Sequence, residues 1–207
     1  GKTEVYMSLM DKVIKMGKRA IMLVPEISLT TQMISRFYSR FGSRVAIFHS
    51  GLSNGEKYDE YLKIYRNEID IVVGTRSAIF TPLKNMGLIV LDEEHSETFK
   101  QDSNPRYNAV DMAIFRGKYN NCPVILGSAT PSLEAMARAR KGIFKLIVMP
   151  NRVGGAVLPQ IEIVDMALEM KKRNTILSEH LQDEIRKNLE RGEQTILLLN
   201  RRGHSTI

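Results

Sequence analysis

The sequence is poor in the residues that build disulfide frameworks and membrane spans. It has 207 residues, with one cysteine, Cys122, and no tryptophan. A single thiol excludes an internal disulfide framework. Cys122 lies just before an apolar run, which predicts that its thiol is reduced and half-buried. No apolar run reaches the ~18 residues that a membrane helix needs, and the start lacks the basic and apolar regions of a signal peptide. We therefore expect a cytoplasmic protein that has no membrane partner.

Acidic residues are outnumbered by basic ones. Thirty Lys and Arg face 23 Asp and Glu, which gives a net charge of +7 and a pI near 9.5. This excess favours a polyanionic partner such as nucleic acid, bound in a salt-sensitive way. A solvated basic surface would have the same composition, so charge alone leaves both interpretations open.

Short apolar runs without polar alternation indicate strands that are buried on both faces of a sheet. These runs occupy residues 20–24, 45–48, 69–73, 88–91, 124–126 and 196–199. Segments with helical apolar spacing lie between them, at 34–41 and 58–65. The alternation predicts a doubly wound α/β fold, whose ligands gather at the carboxyl ends of parallel strands.

Two of the predicted helices have recognisable ends. Ser53 and Glu56 match a capping box at the start of the 58–65 segment. A later helix is predicted to begin at Thr130-Pro131 and to end at Gly142, because proline suits a first helical turn and glycine suits a helix end.

Glycines and a proline at 151–159 predict a linker between two domains. We assign residues 1–149 to the first domain and residues 150–207 to the linker and the start of a second domain. The second part has two predicted strands, at 160–164 and 196–199, a basic stretch at 171–173 and one helix around Leu181, Ile185 and Leu189. Two strands and one helix cannot close a layered core, so we expect a fragment of a longer protein.

Asp92-Glu93-Glu94-His95 follows the apolar run at 88–91. At the end of a buried strand, one carboxylate can hold Mg²⁺ while the next orients a water molecule for attack on a phosphate. Acidic residues also begin many solvated loops, but the preceding run has no polar residue. We therefore assign Asp92 to Mg²⁺ and Glu93 to the water. His95 alone fits a structural role as well as a catalytic one.

The chain opens with Gly1-Lys2-Thr3, which matches the end of a phosphate-binding loop. In such a loop Lys2 would reach the β- and γ-phosphates and Thr3 would ligate Mg²⁺. An ordinary helix start would also fit these three residues. We assign them to an ATP site because the acidic tetrad is present in the same chain. The predicted ATP- and Mg²⁺-binding residues are Gly1, Lys2, Thr3, Asp92 and Glu93, of which Asp92 and Glu93 are catalytic and Thr3 and Asp92 are metal ligands.

The tetrad occurs in order with four further segments that together are distinctive. They are Val24-Pro25-Glu26-Ile27-Ser28-Leu29-Thr30, Gly74-Thr75-Arg76-Ser77-Ala78-Ile79-Phe80-Thr81-Pro82, Gly127-Ser128-Ala129-Thr130-Pro131-Ser132 and Asn200-Arg201-Arg202-Gly203. Over essentially the whole chain, this set resembles the superfamily 2 helicases with a DEAH-type box, and among them the replication-restart helicases of bacteria. The resemblance implies a RecA-like first lobe of a P-loop NTPase, without its first strand and part of the nucleotide loop, and the beginning of a second RecA-like lobe.

The resemblance also implies a track for single-stranded DNA, in which amides, hydroxyls and an arginine meet phosphates without reading bases. Its residues would be Pro25, Glu26, Thr75, Arg76 and Ser77. A surface ion pair is the competing role for Arg76. Residues Glu94, His95, Ser128 and Thr130 would couple the nucleotide state to lobe movement, although Thr130 could equally cap a helix.

Residues 96–107 resemble an aromatic-rich loop that couples DNA binding to hydrolysis in this family. Phe99 and Tyr107 would stack on bases while Lys100 and Arg106 meet phosphates. Asn108 and Val110 stand where relatives often have His and Arg. A structural loop with Tyr107 packed on the core is therefore an equal alternative.

The function implied is that of an ATP-dependent 3′-to-5′ DNA helicase of the primosome, which restarts stalled forks. Its cofactors would be ATP and Mg²⁺, with Zn²⁺ in the full-length protein, because the zinc cysteines of the family would follow Arg201-Arg202-Gly203-His204. Partners would be forked and single-stranded DNA, the primosome with its helicase-loading proteins, and single-strand-binding protein at the nucleoid. We expect the isolated chain to be inactive. The alternatives are a non-catalytic fragment that binds DNA or a partner, and a related superfamily 2 translocase in repair.

Overall fold

A computed structural model describes residues 1–151, 159–171 and 176–198. The chain divides into two compact units, Gly1–Gly155 and Ala156–Ile207. Some predicted features lie outside the described residues. They are the motif at 200–203, the strand residue Leu199, most of the linker at 151–159 and most of the basic stretch at 171–173. Within the described ranges, every helix is too short or too polar to cross a bilayer.

Strands and helices of the first unit alternate as the apolar runs predict. The elements are α1 (Lys2–Lys15), β1 (Arg19–Leu23), α2 (Thr31–Phe41), β2 (Val45–Phe48), α3 (Asn54–Tyr65), β3 (Ile71–Gly74), β4 (Met86–Asp92), β5 (Lys100–Gln101), β6 (Tyr107–Asn108), α4 (Ala109–Tyr119), β7 (Val124–Gly127) and α5 (Leu133–Arg140). Short 3-10 turns follow β1 at Glu26–Ser28 and β3 at Arg76–Phe80. All five apolar runs predicted in this unit form strands.

The main sheet is parallel and has β1 at its centre. Its strand order is β2-β3-β1-β4-β7, and β5 and β6 form a separate antiparallel ribbon. Strand β1 pairs with β3 on one side and β4 on the other, so that Leu23 lies opposite both Gly74 and Leu91. The carboxyl ends of these strands therefore meet at one edge of the sheet, as the sequence predicts.

Both faces of the sheet are covered by helices. Successive side chains of a strand point to opposite faces, so Ile21 packs in a cluster with Ile64 of α3 and Ala113 of α4. Met22 packs on the other face with residues of α1 and α2, including Phe37. Full burial of such a side chain contributes about 1.5–3 kcal/mol. The predicted doubly wound α/β fold is confirmed.

Helix α3 begins as predicted but buries a different face. The Ser53 hydroxyl accepts from the Glu56 amide at 3.3 Å, and the Glu56 carboxylate accepts from the Ser53 amide at 2.8 Å. This is the predicted capping box. Its tyrosines are exposed, however, and Ile64 is buried. A tyrosine hydroxyl favours water, whereas isoleucine has no polar atom to keep hydrated, so apolar spacing alone indicates the wrong face.

Helix α5 begins later than predicted. The Ser132 hydroxyl accepts from the Ala135 amide at 3.2 Å, which makes Ser132 the residue that caps the helix. Pro131 therefore precedes the helix instead of opening it. The helix ends at Arg140, and Gly142 follows with a φ of +72°, which suits the predicted helix end.

The second unit has α6 (Met166–Lys171) and α7 (Glu179–Glu190). Helix α7 is the helix predicted around Leu181, Ile185 and Leu189. The strand predictions at 160–164 and 196–198 are wrong for the described residues. Neither segment has a backbone hydrogen-bonding neighbour in the described part of the chain, and an extended segment becomes a strand only when such a neighbour is present.

Substitution of Gly74 by alanine should destabilise the first unit. A Cβ atom there would lie 2.2 Å from the Phe48 carbonyl oxygen and 2.6 Å from the Ala78 Cβ. We expect the free energy of unfolding to fall by about 1–3 kcal/mol, because an overpacked core must shift its backbone. Denaturant unfolding followed by circular dichroism measures the change.

Gly55→Ala is the matched control. A Cβ at Gly55 in α3 meets nothing within 4 Å. This variant should gain up to about 1 kcal/mol from the higher helix propensity of alanine. A Gly74→Ala protein that is as stable as the parent would contradict the close approach of β3 to β2.

Candidate functional site

Lys2 faces the two carboxylates that end β4. Its ammonium nitrogen lies 2.6 Å from Glu93 Oε1 and 3.3 Å from Asp92 Oδ1. Burial opposes the charge of Lys2, but the hydrogen bonds and charges of both carboxylates outweigh it and raise its pKa. Gly1 caps the same helix, and Thr3 makes no side-chain hydrogen bond within the described ranges. The structure thus brings the predicted nucleotide residues of α1 and β4 together.

Asp92 is also held by Tyr6, a residue that sequence reasoning missed. The buried Tyr6 hydroxyl donates to Asp92 Oδ1 at 3.2 Å. Burial and the Asp92 charge raise the pKa of Tyr6, so this phenol stays protonated. Gly127 makes room for it, because a Cβ at Gly127 would lie 1.7 Å from the hydroxyl oxygen. The signal was in the sequence as a tyrosine one helical turn after Lys2.

The backbone of Glu93 is unusual for a residue with a side chain. Its φ is +50°, in the left-handed region that only a few per cent of non-glycine residues enter. The Asp92 carboxylate accepts from the Glu93 amide at 3.1 Å, and the Glu93 carbonyl accepts from the Ser96 amide at 2.8 Å. These bonds hold the strained residue, and strain of this kind is common at functional sites.

Glu94 joins the tetrad to the start of α5. Its side chain is 5% exposed and accepts from the Ser132 amide at 2.7 Å and from the Ser132 hydroxyl at 3.0 Å. The Glu94 amide donates to the Gly127 carbonyl at 3.0 Å. A carboxylate at a helix N-terminus is favoured by the helix dipole. Glu94 therefore links the end of β4 to β7 through its amide and to α5 through Ser132. Ser132 lies in the predicted segment at 127–132, but the sequence assigned it no role of its own.

His95 makes the second link to β7. Its Nδ1 atom lies 2.7 Å from the Ser128 hydroxyl and 3.7 Å from Glu93 Oε2. The same hydroxyl accepts from the Thr130 amide at 3.0 Å. Of the predicted coupling residues, Glu94, His95 and Ser128 thus bridge the tetrad and the segment after β7, whereas Thr130 takes part through its backbone.

The donor set fits a magnesium–nucleotide complex better than a metal held by protein alone. Within the described ranges, no three His, Cys, Asp or Glu side chains are grouped to hold a metal. Mg²⁺ is usually bound by one or two carboxylates together with water and substrate phosphates. Asp92 supplies such a carboxylate, and Lys2 supplies the positive charge that phosphates need.

A separate cleft of about 220 Å³ opens where β1 and β3 end. Among the residues that line it are Val24, Glu26, Ser50, Thr75, Ser77 and Thr98. The Ser50 hydroxyl donates to Glu26 Oε1 at 2.9 Å, and Pro25 precedes the 3-10 turn that carries Glu26. Four of the five predicted track residues, Glu26, Thr75, Arg76 and Ser77, therefore line one cleft, whereas Pro25 does not. Sequence reasoning missed Ser50, which follows β2, and Thr98, which precedes β5.

Arg76 also lines the cleft, and it contacts the loop at 96–107. Its Nη1 donates to the Lys100 carbonyl at 2.6 Å and to the Thr98 carbonyl at 3.3 Å. Its Cζ lies 5.9 Å from the centre of the Tyr107 ring. The predicted surface ion pair with a carboxylate is absent among the described residues, and backbone carbonyls take its place.

The loop at 96–107 presents its charged residues and buries an aromatic one. Phe99 is 1% exposed and belongs to the core, so it has no free face for a base. Tyr107 packs edge-on against Phe80, with 4.9 Å between ring centres. Lys100 and Arg106 are exposed. This packing favours the structural alternative for both aromatic residues.

Asn108 and Val110, which depart from the family pattern, have local structural roles. The Asn108 side chain caps α4 by accepting from the Val110 amide at 2.8 Å. Val110 packs against the core cluster on the α4 face of the sheet.

Comparison with known proteins gives a consistent result. The DEAD/DEAH box helicase family matches residues 1–139. Over its full length the chain is 51% identical to replication restart protein PriA of Bacillus subtilis. It is 47% identical to the protein of the same name from a Synechocystis species, again with full coverage of this chain. The chain spans 26% of the length of each of these relatives.

A solved structure supports the fold. The helicase domain of Pyrococcus furiosus Hef matches 93% of this chain and 43% of its own, with a TM-score of 0.51 and 18% identity. At that identity the match concerns the fold alone, and it supports the predicted RecA-like architecture.

The contact of Tyr6 with Asp92 and Gly127 makes a prediction for a double-mutant cycle. Tyr6→Phe should lower the free energy of unfolding by about 1–2 kcal/mol, because it removes a buried hydrogen bond to a carboxylate. Gly127→Ala should cost more than that. The two costs should not add, because removing the hydroxyl removes the atom nearest to the new methyl group.

Denaturant unfolding of both single variants and the double variant measures the coupling. Tyr38→Phe is the control, because Tyr38 is a tyrosine of α2 that is 44% exposed. Additive costs within about 0.5 kcal/mol would contradict the packing of the Tyr6 hydroxyl on Gly127.

Proposed function

The chain belongs to the DEAD/DEAH box helicase family, and from this premise we propose that it is the nucleotide- and DNA-binding part of an ATP-dependent DNA helicase that acts in replication restart. The observation that carries the proposal is the placement of the Lys2 ammonium group between Asp92 and Glu93, 2.6 Å from the latter. The names and full-chain similarity of the relatives support the role in restart.

Nucleotide binding would begin with an exchange of partners at Lys2. The ammonium group is now neutralised by two carboxylates, and the phosphates of ATP would take their place. Backbone amides at the start of α1 add donors for the same phosphates, because the first amides of a helix have no partner within the helix. Gly1 and Thr3 stand at this helix start.

Glu93 would orient the attacking water once Lys2 has turned to the phosphates. Its carboxylate then loses its short ion pair and becomes an acceptor for a water proton. Tyr6 and the Glu93 amide would keep Asp92 in place. When bound, Mg²⁺ supplies charge neutralisation for the phosphates, with Asp92 and Thr3 as its protein ligands.

We assign the two units to the two lobes of the motor. Residues 1–149 would form the first RecA-like lobe, and residues 150–207 the linker and the beginning of the second. ATP-driven closure of two lobes moves such motors along a strand.

The cleft at the ends of β1 and β3 would hold the phosphates of a single strand. Thr75 and Ser77 offer hydroxyl groups, and Arg76 offers a cationic fork. Glu26 would form its other wall, and Pro25 would set the start of the turn that carries Glu26. The Ser50 hydroxyl donates a hydrogen bond to Glu26 Oε1, which lessens the repulsion between this carboxylate and a phosphate.

The hydrogen bonds of Glu94 and His95 to the segment after β7 would transmit a change in the bound nucleotide from β4 to β7. Both end at residues that follow Gly127, so a shift of the tetrad would be felt at Ser128, Thr130 and Ser132.

The physiological partners would be forked and single-stranded DNA, helicase-loading proteins of the primosome and single-strand-binding protein. Movement would run in the 3′-to-5′ direction. These statements rest on the family and on the names of the relatives.

Replacement of Glu93 by glutamine should nearly abolish ATP turnover in the full-length protein. The amide cannot accept a proton from water, so kcat should fall by about 10²- to 10⁴-fold. ATP binding should persist, because Lys2 loses a competing anion. A phosphate-release assay with and without forked DNA, beside equilibrium nucleotide binding, measures both effects.

Glu68→Gln is the matched control, because Glu68 is exposed and precedes β3, away from the carboxyl ends of the strands. Normal turnover by the Glu93→Gln protein would show that the base is assigned wrongly. Absent or DNA-independent hydrolysis by the unmodified protein would favour a non-catalytic binding module.

Lys100→Ala and Arg106→Ala should each weaken binding of single-stranded DNA regardless of sequence. Each removes one phosphate contact, so the slope of log affinity against log salt should fall by about 1. Lys15→Ala is the control, because Lys15 ends α1 near the amino ends of the strands. Equal salt slopes for all three variants and the parent would contradict a DNA contact by this loop.

A further inference from the structure

The short 3-10 turn at Arg76–Phe80 carries one wall of the cleft. Ser77 in this turn is exposed, and it lines the cleft together with Arg76 and the preceding Thr75. Because the turn has five residues, its position depends on how its two ends are held. At the amino end, the Thr75 amide donates to the Phe48 carbonyl of β2 at 3.0 Å. This bond fixes the start of the turn to the sheet.

The carboxyl end of the turn is held by Arg116, a residue of α4 to which the sequence assigned no role. Its guanidinium donates through Nη1 to the Ile79 carbonyl and through Nη2 to the Thr81 carbonyl, the latter at 3.0 Å. A guanidinium is a planar fork of N–H donors, so it can hold two nearby carbonyls in one fixed geometry. Helix α4 is itself well anchored, because Ala109 and Ala113 are fully buried in the core.

The Arg116 guanidinium is partly buried without a carboxylate beside it. Among the described residues, it bonds to backbone carbonyls and to no acidic side chain. Burial lowers the pKa of Arg116, because its charged form has lost contact with water. An apolar residue of similar volume would pack in such a place at lower cost. The charged fork therefore supplies what packing alone does not, which is a directional hold on two carbonyls.

We propose that Arg116 is a positioning residue for nucleic-acid binding, which holds the turn so that Arg76 and Ser77 meet the phosphates of a strand in the cleft. The proposal rests on the function proposed above. Arg116 is not one of the described residues that line the cleft, so it acts through the backbone of the turn. Without its two hydrogen bonds, the carboxyl end of the turn is released while the amino end stays bound to β2. The nucleotide residues of α1 and β4 are not part of this contact.

Arg116→Met in the full-length protein tests this role, because methionine keeps an unbranched side chain but donates no hydrogen bond. We expect the Kd for oligo-dT to rise about tenfold or more, the equivalent of one hydrogen bond to a charged group. The Kd for ATP should stay at the parental value. Lys118→Met is the matched control, because it removes one exposed positive charge from the same helix. It should leave both dissociation constants unchanged.

A double-mutant cycle separates positioning from a general loss of stability. In the unmodified protein, Ser77→Ala removes a hydroxyl that meets a phosphate and should raise the Kd for oligo-dT about tenfold. In the Arg116→Met background this hydroxyl is already displaced, so Ser77→Ala should raise the Kd by less than about threefold. A role of Arg116 in stability alone would leave the two effects additive.

Thermal unfolding shows whether each variant is folded at the assay temperature. If Arg116→Met is not folded, Arg116→Lys takes its place in the same cycle. Its ammonium group keeps the charge but has no planar fork with which to hold both carbonyls. The same weakening of DNA binding and the same non-additivity with Ser77→Ala are then expected, each smaller than for methionine.

The outcomes separate this proposal from the proposed function. Weaker DNA binding with parental ATP binding, together with a non-additive effect of Ser77→Ala, supports the positioning role. Parental DNA affinity in the Arg116 variant, or effects that add with those of Ser77→Ala, overturns the positioning role while the helicase function stands. If the unmodified full-length protein does not bind oligo-dT, the proposed function fails and the positioning role fails with it.

Discussion

The strands of the first unit are parallel and buried on both faces, so its functional residues can lie only at the edge of the sheet where the carboxyl ends of the strands meet. Strand β1 is enclosed by β3 and β4 and by helices above and below, so its residues from Ala20 to Leu23 are fully buried, and the chain becomes exposed only at Glu26. The same holds for most of β4, which becomes polar at Asp92. Apart from the segment that opens α1, the functional segments therefore begin at strand ends, and neighbouring strands bring residues such as Asp92 and Gly127 side by side.

Two sites result from this arrangement, and their separation follows from the strand order. The end of β4 meets the start of α1, where Lys2, Asp92 and Glu93 form a charged cluster. The ends of β1 and β3 meet at the cleft beside Arg76. The loop at 96–107 leaves the first site and returns past the second. Hydrogen bonds of Ser96 and Arg76 fix it at both places, so the two sites share one segment of backbone.

The strands, their parallel arrangement and the polar tetrad could be predicted because apolar runs and their ends are local features. The buried faces of the helices could not be predicted from apolar spacing. In α3 the tyrosines are exposed and Ile64 is buried, because a tyrosine hydroxyl can remain hydrated whereas isoleucine has no polar atom. The predicted base stacking by Phe99 was unsuccessful for a similar reason, because aromatic residues pack in hydrophobic cores as well as on bases. The partners of Arg76 were missed because they lie more than 20 residues away along the chain, which no local pattern records. The spacing of Tyr6 from Lys2 indicates a shared helix face, but its contact with Asp92 is equally distant along the chain.

The ion pair of Lys2 with Glu93 has a consequence for the way in which anions reach Lys2. The ammonium group lies 2.6 Å from Glu93 Oε1 and 3.3 Å from Asp92 Oδ1. Both carboxylates are tethered to the end of β4, so they are always present at high local concentration. Binding of another anion at Lys2 is therefore an exchange of one anion for another.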